Sequence, residues 1–156
     1  MNAVKIMLPA LLVVACATPT ANTETGYEKR IIGSWSCLKS ESEDGMTMKL
    51  EVGLAFRSDG SVVGNGLLRV DTMEYPHAEF LLSGQGMWRV ENQSLVTRVD
   101  GLNISSKQYP QLVERFWSED IVPLHVEDSI QIIQLNQTEL LLGDSPDSMQ
   151  RCTRVQ

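Results

Sequence analysis

The sequence is poor in the groups that carry chemistry. It has two histidines in 156 residues, His77 and His125, and neither stands near a nucleophile motif of the G-x-S-x-G kind. No H-E-x-x-H, C-x-x-C, glycine-rich phosphate loop or calcium-loop pattern is present. The chain is therefore not expected to be an enzyme and no cofactor is implied; His77 and His125 read as surface or loop residues, with no metal site. Bases are also short, because 13 Lys and Arg face 20 Asp and Glu, for a net charge of −7. That balance repels phosphate backbones, which argues against a nucleic-acid partner, and gives no attraction to an anionic membrane surface. The acids Glu74, Glu79, Glu119, Asp120, Glu127 and Asp128 could form a chance carboxylate pair, but such charges are ordinarily solvated faces. Long apolar runs are missing too. The stretch Ile6 to Val14 contains Pro9 and falls far short of the ~20 residues that a bilayer-spanning helix needs.

What that stretch does fit is an export signal. Lys5 precedes it, the segment is short and greasy, and small residues stand at its end, Val13-Val14-Ala15-Cys16. This tetrapeptide resembles the lipobox of bacterial lipoproteins. The resemblance implies a signal peptide over residues 1–15, a diacylglycerol on the Cys16 thiol, and Cys16 as mature N-terminus. Two or three acyl chains, at about 0.8 kcal/mol per buried methylene, would hold the protein on a membrane where one would not. Ala17 after the Cys, in place of Asp, implies by the same resemblance the outer membrane of a bacterial envelope, facing the periplasm. The alternative is ordinary cleavage without lipid, since Ala15-Cys16-Ala17 also has the small-x-small form. In a bacterium the N-x-[ST] triplets at Asn92, Asn103 and Asn136 carry no consequence.

The cysteine count is three, an odd number that needs an explanation in an exported chain. With Cys16 lipidated, Cys37 and Cys152 remain as an even pair in an oxidising compartment. They form a disulfide or stay as two buried free thiols. Residues 16–156 suit one domain rather than two. Ala17 to Gly26 lacks bulky apolar residues and reads as flexible, so residues 16–30 are expected to be a lipid-anchored tether and residues 31–156 the folded unit.

Within that unit apolar residues alternate with polar ones at a period of two, the signature of strands with one face turned inward. Met46, Met48, Leu50, Val52, Leu54 and Phe56 share one phase, with Thr47, Lys49, Glu51 and Arg57 opposite. Ser58-Asp59-Gly60-Ser61 supplies a hairpin turn, and Val62 to Val70 returns. Ala78, Phe80, Leu82, Gly84, Gly86, Trp88 and Val90 form a third phase, whose glycines predict a bend or bulge. Leu95 to Val99, Ile130 to Leu135, Leu140 to Leu142 and about Met149 to Val155 complete the set. With the strand at Trp35 this gives an all-β chain of about eight strands, an antiparallel up-and-down barrel. Pro110, Leu112, Val113, Phe116 and Trp117 predict one short amphipathic helix inserted before the last strands. It either plugs a barrel end or forms a lid, with Trp117 as the contact residue.

The first strand contains Gly33-Ser34-Trp35, which resembles the G-x-W that opens the barrel of lipocalins and related calycin proteins. The resemblance implies that Trp35 closes the barrel floor beside an Arg of the final strand, Arg151 or Arg154, in a cation–π contact. In a closed meander the first and last strands are neighbours, which brings Cys37 within reach of Cys152. A T-D-Y-type second motif is absent and the chain ends directly after the last strand, so the resemblance covers a lipocalin-like barrel rather than a lipocalin proper.

The resemblance further implies a small apolar or amphipathic ligand, lined by Met48, Leu50, Val52, Leu54, Phe56, Phe80, Leu82 and Trp88. The alternative is that these side chains fill the interior themselves, since an eight-stranded barrel is just wide enough for either. A different reading is a protein-binding accessory subunit or inhibitor in the envelope, with the segment Asp71 to His77, Tyr109 and Trp117 as contact surface.

Overall fold

The structure, a computed structural model, describes residues 22–116, 126–144 and 149–156. Its eight strands follow one another around a closed antiparallel barrel. They are β1 (Gly33–Glu43), β2 (Met46–Phe56), β3 (Ser61–Asp71), β4 (Ala78–Glu91), β5 (Ser94–Ser105), β6 (Val126–Leu135), β7 (Glu139–Leu142) and β8 (Gln150–Arg154). Among the described residues two helices accompany them, α1 (Asn22–Ile31) before the first strand and α2 (Pro110–Phe116) between β5 and β6. The all-β barrel with its inserted short helix is the architecture expected from the period-two pattern.

The β2–β3 and β6–β7 turns each have a local cause. Asp59 accepts the Ser61 amide at 2.9 Å and its hydroxyl at 2.6 Å, and Gly60 takes the left-handed φ of 82° that closes the β2–β3 hairpin. The same two bonds, the hydroxyl's first, hold the Asp59 carboxyl below its ordinary pKa. Asn136 does similar work between β6 and β7, accepting the amides of Thr138 and Glu139 at 2.9 and 2.8 Å. A β-bulge at Gln85/Gly86 answers the glycines of β4. There β4 and β5 approach so closely that a Cβ on Gly86 would overlap the Arg98 carbonyl, so this position has room only for glycine.

The inner face of β4 is buried at Ala78, Phe80, Gly86, Trp88 and Val90, the phase read from the sequence. Burial along the barrel axis is uneven. A lower core gathers Trp35, Phe56, Trp88, Leu95, Leu135 and Leu140, and a smaller upper core joins Ala78 and Phe80 to Leu112 of α2. Leu112 thus covers the end at which α2 sits. Phe116's side chain and all of Trp117 and His125 lie outside the described residues.

The opposite end carries a feature that composition hid. Residues Asn22–Ile31 form α1, where a tether to residue 30 was expected. Its last residue Ile31 is fully buried in the lower core, with Tyr27 packed beside it. A helix of low apolar content is held here by its C-terminal carbonyls, which lack partners inside the helix. The Trp35 indole N–H donates to the Ile31 carbonyl at 2.7 Å, and the Arg154 guanidinium donates to the carbonyls of Ile32, at 2.9 Å, and Arg30. Gly33 makes this possible: its φ is 131°, and a side chain there would occupy the space of the Arg154 guanidinium.

The seam between β1 and β8 is short, running from Trp35↔Arg154 to Leu38↔Arg151. Cys37 and Cys152 face each other in it and are joined as a disulfide across 115 residues of sequence. The bridge therefore fastens the place where the two ends of the sheet meet.

Candidate functional site

The barrel floor has the arrangement that the G-x-W resemblance implies. Trp35 is fully buried, and the Arg154 guanidinium lies 4.2 Å from its ring centroid. Arg154 also donates to the Gln137 carbonyl at 2.8 Å, while Arg151 points outward to Glu139 at 3.5 Å. Of the two candidate arginines, Arg154 is the floor residue.

Above the floor the interior is hollow. A cavity of about 280 Å³ occupies the waist of the barrel, lined chiefly by Leu50, Val52, Leu54, Leu82, Val99 and Ile130. The inner phases of β3 and β4 place glycine at 64, 84 and 86, which give no side chain to fill this level. Leu50, Val52, Leu54 and Leu82 consequently stay only half-buried although they face inward. For comparison, a dry cavity of about 150 Å³ accepts benzene. A second apolar space of about 330 Å³ lies in the upper part, among Met46, Met48, Leu68, Val70, Phe80 and Leu112.

The residues expected to line one pocket therefore divide by height. Leu50, Val52, Leu54, Phe56 and Leu82 line the waist, whereas Met48 and Phe80 line the upper space. Trp88 lines neither: it packs edge-on against Phe56 with ring centroids 5.4 Å apart, and its indole N–H donates to the Arg57 carbonyl at 3.0 Å. That bond draws the indole into the floor. Period two fixes a residue's face but not its level along the axis, so the sequence could not separate these three groups. Sequence reasoning also missed Thr97, Val99, Leu102, Asp128, Ile130 and Gln150 as lining residues.

The wall around the waist is unequal. β5 pairs with β6 only from Ser94 to Val99, and beyond that Gly101–Ser105 pair with β4 alone among the described residues. On the other side Lys39–Glu43 of β1 pair, among the described residues, with β2 alone. The inner phase of β1 changes character at this boundary. Trp35 and Cys37 are buried, while Lys39 and Glu41 form a 2.7 Å ion pair at intermediate exposure. Leu102 is 42 % exposed despite its inner-face position, so the waist meets solvent on the side of this gap. Asp128, paired with Thr97, and Gln150, paired with Leu142, are polar residues of its lining.

Neighbouring carboxylates at this gap have different surroundings. Glu127 is on the outer face, where Arg89 donates to it at 3.1 and 3.0 Å and lowers its pKa. Asp128 is on the inner face and accepts only the Ser129 amide, at 2.9 Å, among the described residues.

Of the segments expected to contact a protein partner, the tyrosines are turned to the fold. Tyr75 and Tyr109 pack edge-to-face at 5.5 Å, and the Tyr109 hydroxyl donates to the Pro76 carbonyl at 3.4 Å. Met73 is fully exposed, and His77 is a surface residue with Nδ1 3.2 Å from the Asp71 carboxylate.

A closed eight-stranded antiparallel barrel with this floor is consistent with a lipocalin-like fold. No family model matches the chain, and no curated protein matches it in sequence.

Proposed function

We propose that this chain is a lipid-anchored protein of the bacterial envelope whose barrel carries one small apolar or amphipathic molecule in its waist. The observation that supports the reading is the waist cavity itself. At about 280 Å³ it lies near the lower end of the range for small-molecule sites, and its inward Leu and Val side chains are left half-buried. A barrel selected only for stability would gain by filling that space, since each unfilled methyl-sized void costs on the order of 1 kcal/mol. The lipid anchor on Cys16, with residues 1–15 removed and the outer membrane as its address, is the compartment that the lipobox resemblance supplies. The protein-binding reading has less behind it, because Tyr75 and Tyr109 are spent on each other.

The test uses the mature chain with Cys16→Ser, which removes the lipid alone. It should take up N-phenyl-1-naphthylamine saturably at one molecule per chain. Leu82→Trp, which puts an indole into the waist, should abolish uptake and leave the circular dichroism of the barrel unchanged. Uptake that does not saturate, or that survives Leu82→Trp, would contradict carriage in the waist. Intact mass of the wild-type protein taken from a bacterial envelope tests the anchor: acyl mass on a chain beginning at Cys16 is expected, and an unmodified Cys16 would refute it.

A further inference from the structure

Carriage leaves open which end of a ligand faces the gap. Among the described lining residues of the waist, Asp128 is the single charged one. It stands on the inner face of β6 opposite Thr97, with Gln150 of β8 also in the lining, while the polar lining residues of β3 and β4, Asn65, Ser83 and Gln85, belong to the exposed outer phase of those strands. Among the described residues no cation cancels its charge. The nearby Arg89 is bound to Glu127 and Glu91 on the outer face, and Arg98 is bound to Asp100. The other inner-phase cations are also engaged: Lys39 is closed by Glu41 at 2.7 Å, and Arg154 is tied to backbone carbonyls in the floor.

From this arrangement, and resting on the carriage reading above, we infer that the waist selects amphiphiles with a cationic head, such as a primary alkylamine, and disfavours anionic ones. The alkyl chain enters among the inward side chains of Leu50, Leu54, Leu82 and Val99, which are apolar. The head stays at the gap beside the Asp128 carboxylate, where an ammonium gains a charge-assisted hydrogen bond and Thr97 and Gln150 offer further oxygen acceptors. A fatty-acid carboxylate in the same place meets a like charge that no cation among the described residues offsets. Because Asp128 is solvent-exposed, the discrimination is modest.

Three ligands of equal chain length separate the head from the tail: decylamine, decanol and decanoate. Each is titrated below its critical micelle concentration into the Cys16→Ser mature chain by calorimetry. Decylamine is expected to bind roughly three- to tenfold more tightly than decanoate, with decanol between them and the spread narrowing in high salt. Asp128→Asn should bring the amine to the level of the alcohol, leaving decanol binding unchanged. Asp128→Lys should reverse the order. Equal binding of amine and carboxylate, or an amine preference that survives in Asp128→Asn, would overturn the head-group assignment while carriage stands. If none of the three binds, carriage itself fails, and this inference with it.

Discussion

Replacing both Cys37 and Cys152 by Ser lowers the unfolding free energy by about 4–5 kcal/mol, the chain-entropy value for a loop of this length. The size follows from the 115 residues that separate the two cysteines. The location matters as much. Only Trp35 to Leu38 pair with β8, so without the sulfur bridge the closure of the cylinder rests on a short ladder. Local opening of that seam should precede global unfolding, because small units with few backbone bonds open at the lower free energies. Urea titration of the oxidised and double-Ser chains measures the first effect, and amide exchange of residues 35–38 against those of β4 measures the second. A double-Ser chain whose midpoint is unchanged would show that the bridge does not constrain the unfolded ensemble as proposed.

Trp35→Ala is expected to cost about 3–5 kcal/mol, the range for removing a large aromatic side chain from a packed interior. Trp35 is fully buried, and three things depend on it at once. Its ring fills the floor, its face carries the Arg154 guanidinium at 4.2 Å, and its N–H satisfies the Ile31 carbonyl at 2.7 Å. Trp35→Phe keeps most of the first, part of the second and none of the third, so a loss of about 1–3 kcal/mol is expected for the unpaired carbonyl. Arg154→Ala removes the second contribution and uncaps the end of α1 as well. A double-mutant cycle between Trp35→Phe and Arg154→Ala should give a coupling well above zero, because the two side chains share the same helix end. Additive effects would mean that floor and helix cap are independent.

Both effects bear on how much of the molecule could be read from its residues. The strands were legible because an inward face repeats every second residue, as along Met46 to Phe56, and because Asp59-Gly60 and Asn136 mark turns with a definite chemistry. Gly84 and Gly86 announced the bulge, and Gly33 and Trp35 the floor. The helix α1 was not legible, since Asn22 to Arg30 has almost no apolar periodicity; its support comes from side chains 4 and 122 to 124 residues further along. The alternation that marks β5 from Leu95 to Val99 lapses at Asp100-Gly101, although the strand continues to Ser105. In the fold that pair lies beside the bulge, where β4 opposes Val99 with Gly86 and Gly101 with Gln85.

The candidate site was less legible than the barrel. Leu50, Val52, Leu54, Phe56 and Leu82 were found by phase alone, since face is what phase encodes. Trp88 shared the phase and went to the floor, because its hydrogen bond to Arg57 is a tertiary event. Asp128 was read among surface charges with Glu127, and the two differ only in which face of β6 each occupies, a fact set by the pairing of Thr97 with Asp128. The hollow waist arises where the inner phases of two adjacent strands both supply glycine, which becomes visible only once the register between β3 and β4 is known.

Whether that waist is empty space is the question on which the functional reading stands. Crystals of the Cys16→Ser mature chain pressurised with xenon answer it directly, because xenon enters apolar cavities without needing a head group. Xenon density is expected on the barrel axis between Leu50, Leu82, Val99 and Ile130. Side chains meeting across the axis at those positions, with no density between them, would contradict the account.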